Sequence, residues 1–297
     1  MAISKVLGSV DAVLDAMAGE SYVADRGLAT AVFLAAKLGK PLLVEGEPGC
    51  GKTEISKVLA AATGGELIRL QCYEGLDANA ALYEWNYAKQ LLTIRLHERE
   101  RKPGELETEI FDERFLLRRP LLKALTADGP VPPVLLIDEV DRADEEFEGL
   151  LLEVLSEYQI TIPEIGTIKA KAVPFVVITS NRTRELSDAL KRRCLYAYLD
   201  FPSLEKEIAI LRRKVPGLED GFALDIATFV QRVRGEEDLV KRPGIAETLD
   251  WAAALLALGE RTITRDLVEQ TLGFLVKDAQ DLKALPSERI DALLRTT

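Results

Sequence analysis

The stretch Gly46-Glu47-Pro48-Gly49-Cys50-Gly51-Lys52-Thr53 constrains this chain more than any other. It follows an apolar run, Pro41-Leu42-Leu43-Val44, and precedes a helix-like segment, Glu54 to Ala61. Strand, glycine-rich turn and helix in that order are the context in which such a loop cradles phosphate. The glycines let successive N–H groups turn inward, and the following helix adds the positive end of its dipole. In this reading Lys52 reaches the β- and γ-phosphates and Thr53 offers its hydroxyl to Mg²⁺. Gly46, Glu47, Pro48, Gly49, Cys50, Gly51, Lys52, Thr53 and Glu54 are therefore the candidate nucleotide contacts. A coincidental glycine-rich turn is the competing reading, and the flanks on both sides weigh against it.

A second apolar run, Val134 to Ile137, ends in Asp138-Glu139. This describes a central parallel strand whose carboxyl end opens into a crevice, where ligands of open α/β sheets bind. Asp138 is expected to hold Mg²⁺ from its outer shell, and Glu139 to orient and polarise an attacking water. A third run, Pro174 to Ser180, ends in Asn181. Its amide can bond the γ-phosphate or the lytic water, although Asn equally suits a strand-to-loop turn. Leu186 to Cys194 reads as a short helix with Lys191, Arg192 and Arg193 at its C-terminal end. Basic residues stabilise any helix C-terminus. The sharper alternative is an arginine finger serving a nucleotide on a neighbouring subunit.

Five strands, 41–45, 67–71, 134–138, 175–180 and 195–199, alternate with helices or inserts. That alternation predicts an α/β fold with a doubly wound parallel five-stranded sheet. Beyond Phe201-Pro202 the pattern is wholly helical, with helices expected over Leu204–Lys214, Ala223–Val233, Ile245–Leu258, Arg265–Ala279 and Ser287–Leu294. Two domains follow: a nucleotide-binding α/β domain over 1–202 and a smaller all-helical lid over 203–297, able to rotate as a unit.

Together these segments resemble the AAA+ ATPases, and more narrowly the MoxR family, over almost the whole chain. Within that family the chain looks most like the branch accompanying carbon monoxide dehydrogenase and related molybdenum hydroxylases. Leu70 to Leu76, Ala81-Leu82-Tyr83-Glu84-Trp85, Ser180 to Asp188 and Glu247-Thr248-Leu249-Asp250-Trp251 carry that likeness. The resemblance makes Asn181 the first sensor and Arg193, or alternatively Arg192, the finger. It puts Tyr22 and Val23 beside the adenine, although an apolar pair near a helix start equally suits a core. It also implies a helix-2 insert at about 73–103, with Tyr83, Trp85 and Tyr87, and a hairpin at about 158–170. Those aromatics either grip a polypeptide or pack the insert against the core. The match weakens at Lys241-Arg242-Pro243-Gly244, because many relatives place an arginine just after the corresponding proline. Arg242 or Lys241 then stands in as second sensor, or is a solvated charge.

With 297 residues, 47% of them hydrophobic, the chain can bury a substantial core. Three scattered cysteines give neither a metal cluster nor a disulfide framework, which suits a reducing cytoplasm. The single histidine, His97, excludes zinc chemistry and Ser-His-Asp hydrolysis and reads as a surface residue. Neither a signal peptide nor a membrane-length apolar run is present. Cys50 sits at a helix N-terminus, which lowers a thiol pKa and would sensitise the loop to oxidation; the plainer reading is a tolerated small residue.

The resemblance implies ATP hydrolysis with Mg²⁺ by a ring of identical subunits, a hexamer, acting as a remodelling chaperone. Its implied partners are a protein with a von Willebrand factor A domain and a metalloenzyme client undergoing maturation. A motor acting on nucleic-acid machinery is the alternative, and the net charge of -11 counts against it. A nucleotide-binding scaffold switch without turnover is a third reading, and Glu139 speaks against that one.

Overall fold

The structure, a computed structural model, describes residues 6–97 and 111–295. Helices α1 (Val10–Gly19) and α2 (Arg26–Leu38) come first, with Asp25 accepting the Leu28 N–H at 2.8 Å to cap α2. Strand β1 (Leu42–Gly46) passes through the glycine-rich loop into α3 (Lys52–Thr63), and β2 (Leu67–Gln71) follows. Next come α4 (Ala78–Ala81), β3 (Tyr83–Trp85), α5 (Tyr87–His97), β4 (Leu116–Arg118) and α6 (Pro120–Leu125). The chain continues through β5 (Val134–Asp138), α7 (Glu145–Glu157), β6 (Gln159–Ile162) and β7 (Gly166–Lys169). Strand β8 (Phe175–Ser180), α8 (Asp188–Arg193) and β9 (Leu195–Leu199) complete the α/β part. Six helices follow: α9 (Leu204–Lys214), α10 (Asp220–Arg234), α11 (Ile245–Ala257), α12 (Arg265–Thr271), α13 (Ala279–Ala284) and α14 (Ser287–Arg295).

The main sheet runs β2-β5-β8-β1-β9, and β2 with β5, β5 with β8, and β8 with β1 pair in parallel. This is the doubly wound α/β fold that the alternation predicts. Every residue of β1, β5 and β8 is buried, as strands covered by helices on both faces require. Register sets Gln71 beside Asp138, Ile137 beside Ile178, and Val44 beside Thr179. The carboxyl ends of four strands therefore reach one edge together, which is where such sheets bind ligands.

The chain divides into two compact units. One gathers the chain up to Ala16 with Asp25–Glu45 and Thr53–Ala197; the other gathers Met17–Ala24, Gly46–Lys52 and the chain from Tyr198 on. The first is built on the apolar faces of the sheet and of α7, with Leu43, Ile137, Phe147 and Ile178 at its core. The second packs its helices around Trp251, Phe222 and Phe229.

One expectation is corrected here. The helix expected over 265–279 is interrupted: α12 stops at Thr271, a 3-10 turn covers Leu272–Phe274, and Asp278 caps a new helix. Thr271, the last residue of α12, accepts the indole N–H of Trp251 at 2.8 Å while donating to the Leu267 carbonyl. The insert expected over 73–103 is tied down by a partner not foreseen, since β3 pairs antiparallel with β4. Trp85 packs edge-on to Tyr83 and Phe111 and these three rings join the core, whereas Tyr87 is exposed. From residue 98 to 103 that insert lies outside the described residues.

Candidate functional site

Asp138 closes β5 with its side chain buried and fully engaged. Its Oδ1 accepts from the hydroxyls of Thr53, at 3.0 Å, and Thr179, at 2.6 Å. Its Oδ2 is paired with the Arg69 guanidinium at 2.6 Å. Thr53 belongs to the first turn of α3, which brings the helix start and the strand end together inside one unit.

Glu139 follows in a left-handed backbone conformation, φ 55°, which costs a non-glycine residue on the order of 1 kcal/mol. Its N–H donates to Thr179 Oγ1 at 2.9 Å, and its Oε2 receives Gln71 Nε2 at 3.3 Å and Arg142 Nε at 2.9 Å. At the end of β8 the backbone N–H of Asn181 donates to Asp141 Oδ1 at 3.1 Å. Asp141 Oδ2 receives the Thr183 N–H at 2.9 Å and hydroxyl at 2.6 Å. Burial pushes the Asp141 carboxyl up, but these donors outweigh it and hold the group below the usual carboxylate range. Arg182, next to Asn181, is also left-handed at φ 60°. Non-glycine residues in such conformations gather at functional sites.

The loop itself is described by the second unit. Gly49 and Gly51 take φ of 77° and 86°, open to glycine at little cost. Lys52 is buried, and its ammonium donates to the carbonyls of Gly46 at 2.8 Å and Glu47 at 2.7 Å. A buried cation that donates to backbone carbonyls is well suited to receive phosphate. Hydroxyl and carboxylate oxygens, from Thr53 and Asp138, are the hard donors Mg²⁺ selects. The residues present therefore fit both groups.

Cys50 follows the plainer of its two readings, a small residue without an activated thiol. Burial pushes its thiol up to about 11, with Lys52 and Arg234 opposing too weakly to reverse the shift. The helix end does not activate it, because withdrawal from water costs the thiolate more than the nearby positive charges return.

Glu54 opens α3 and pairs with Lys57 at 3.2 Å, while Pro48 lies in the turn before it. Tyr22 and Val23 are half-buried between α1 and α2, where the Tyr22 carbonyl accepts from Arg213 at 3.5 Å. Arg193 and Arg192 are exposed at the end of α8; Arg193 donates to Ser156 Oγ at 3.0 Å and to the Ala189 carbonyl at 3.3 Å. Lys241 and Arg242 are exposed on the approach to α11. Sequence reading missed Thr179, Arg69, Gln71 and Asp141, all of which touch the carboxylates or their neighbours. An alternating polar residue at each strand end was the available signal. Tyr196 was missed too; its hydroxyl donates to the buried Glu45 at 3.0 Å, just ahead of the loop.

Residues 41–194 match the model of the AAA domain, dynein-related subfamily. Protein NorQ of Paracoccus denitrificans is 24% identical over 268 residues, covering 88% of this chain and 89% of that protein. Gas vesicle ATPase GvpN1 of Halobacterium salinarum is 22% identical, over 84% of this chain and 73% of that protein. A solved structure from Cytophaga hutchinsonii, at 15% identity and a TM-score of 0.50, covers 98% of this chain and 94% of its own; it shows the fold alone.

Proposed function

Because the chain belongs to the AAA domain family, dynein-related subfamily, and is a MoxR-type ATPase that hydrolyses ATP with Mg²⁺, we propose that it is a ring-forming remodelling chaperone. The observation that carries this reading is the meeting of Thr53, Asp138, Glu139 and the Asn181–Asp141 contact at neighbouring strand ends. Exposed arginines at the end of α8 complement it. In this reading Lys52 exchanges its two carbonyl partners for phosphate oxygens. Thr53 and, from its outer shell, Asp138 would hold Mg²⁺, which neutralises charge on the phosphates. Glu139, steadied by Gln71 and Arg142, accepts the proton of the attacking water, and Asn181 orients that water. Arg193, or Arg192 one residue earlier, serves the neighbouring subunit's site. An arginine acting in trans requires a closed assembly of identical subunits, and a hexamer is the ring we assign.

The finer part of the proposal follows the branch resemblance: a partner with a von Willebrand factor A domain, and a molybdenum hydroxylase client. Among the described residues no helix is long and apolar enough to cross a membrane. The test is a pull-down from native cells with Glu139→Gln and ATP, read by mass spectrometry. Recovery of such a partner with a hydroxylase subunit is expected. Recovery of replication or nuclease proteins instead would overturn the chaperone reading and leave the ATPase intact.

A further inference from the structure

The position just after Pro243 is a glycine, and the fold leaves room for nothing larger. A Cβ on Gly244 would meet Gly49 Cα at 2.8 Å and Gly49 C at 2.9 Å. Both atoms are backbone, so no side chain can swing aside. From the other side, a Cβ on Gly49 would meet Gly244 Cα at 3.1 Å and Glu247 Oε2 at 3.0 Å. Two glycines thus pack main chain on main chain inside the second unit.

Hydrogen bonds fix that approach. The Gly49 carbonyl accepts the N–H of Ile245 at 3.0 Å and that of Ala246 at 3.4 Å. These are first-turn amides of α11, which have no partner within their own helix. Glu247 Oε2 accepts the Gly244 N–H at 3.0 Å and completes the helix cap.

The segment is itself anchored by a buried network. Arg234 donates to the Pro243 carbonyl at 2.6 Å and forms a two-pronged pair with Glu207 at 2.6 and 2.7 Å. Thr248 donates to Glu207 at 2.7 Å, and Gln231 donates to the same carboxylate at 2.8 Å. The Phe201 ring covers the guanidinium at 5.1 Å. Arg234 is 5% exposed and Glu207 0%, so both charges are out of water and depend on each other for solvation. Such an arrangement contributes geometric definition more than net stability.

We propose that Gly244 is a positioning residue for the ATPase reaction: it seats the first turn of α11 on the Gly49 carbonyl and so sets the shape of the phosphate loop. Contact between the helical part and the loop is then made by backbone, where many resembling chains place an arginine side chain. Arg234 and Glu207 act one step further back, by holding Pro243. The inference rests on residues 46–53 being the nucleotide site.

Gly244→Ala tests it, with nucleotide affinity measured by a fluorescent ADP analogue, steady-state ATPase kinetics, and thermal unfolding. The expected result is a folded protein whose ADP affinity falls about tenfold, with KM for ATP rising more than kcat falls. A folded Gly244→Ala with wild-type affinity and KM would overturn the proposal. Should Gly244→Ala fail to fold, Ile245→Pro decides. Proline is tolerated at the first helical position and removes the shorter of the two bonds to the Gly49 carbonyl, while Ile245→Val trims the side chain and keeps both donors. Loss of affinity in the proline variant alone supports the proposal, and equal affinity in both sinks it. Lys52→Ala, measured alongside, separates the two ideas: if it binds ADP normally, the nucleotide-site reading has failed rather than this one.

Discussion

The hydroxyl of Thr179 lies 2.6 Å from Asp138 Oδ1, donating to it while accepting the N–H of Glu139 at 2.9 Å. One side chain on β8 thereby fixes both acidic residues at the end of β5. Asp138 and Glu139, to which we assign the metal and the attacking water, are thereby coupled through one hydroxyl.

Thr179→Val keeps the shape and removes the hydroxyl. It leaves a buried carboxylate oxygen and a backbone N–H each short of a partner, at a cost of about 1–3 kcal/mol. Urea unfolding should show that loss, and kcat should fall with it. Thr179→Ser, which keeps the hydroxyl, should recover most of both.

Lys52→Ala should lose nucleotide binding, and Glu139→Gln should bind ATP without turning it over. Equilibrium binding and phosphate release on the same preparations check the pair. A Glu139→Gln protein hydrolysing ATP at the wild-type rate would remove Glu139 from the chemistry.

Arg193→Ala should lose ATPase activity with little change in nucleotide affinity if, as proposed, the residue serves another subunit's site. Full activity in Arg193→Ala together with a dead Arg192→Ala would move the finger by one residue. Size-exclusion with light scattering checks that either variant still assembles.

Asp141 predicts a pH dependence with a definite sign. Its folded carboxyl sits below its ordinary value of 3.8, so the folded state binds the proton less readily than the unfolded chain. The stability it adds is complete above that ordinary value and is lost as pH falls through the depressed one. Asp141→Asn should therefore be less stable than the wild type at pH 7, with the gap narrowing near pH 3, read by urea titrations at both.

The three thiols should be poor nucleophiles in the native protein. Burial pushes Cys50 up to about 11 and Cys72 and Cys194 up to about 12. Two pKa units at Cys50 mean about a hundredfold less thiolate at pH 8 than for an ordinary cysteine. Iodoacetamide labelling should be slow in buffer and fast in urea, and peroxide should leave the ATPase unaffected.

What the sequence determined by itself was local. Three of the sheet strands, β1, β5 and β8, fall where apolar runs of four residues stand between turn formers, because a buried parallel strand needs no partner's identity to be recognised. The loop at 46–53 was legible for the same reason: glycine spacing encodes its own backbone conformation. Tertiary structure decided which polar atoms meet. Thr53 and Asp138 are 85 residues apart in the chain, and Thr179 and Asp138 are 41 apart. Only the strand order β2-β5-β8-β1-β9, which differs from chain order, brings them to one edge. The same holds for Arg69 at Asp138, for the β3–β4 pairing, and for the contact of the Trp251 indole with Thr271. Gly244 was visible in the sequence as a missing arginine; only the approach of Gly49 gives the steric reason for it. Cys50 makes the same point for charge, since a thiol's pKa depends on how much water the fold leaves around it, and no neighbour in the sequence records that.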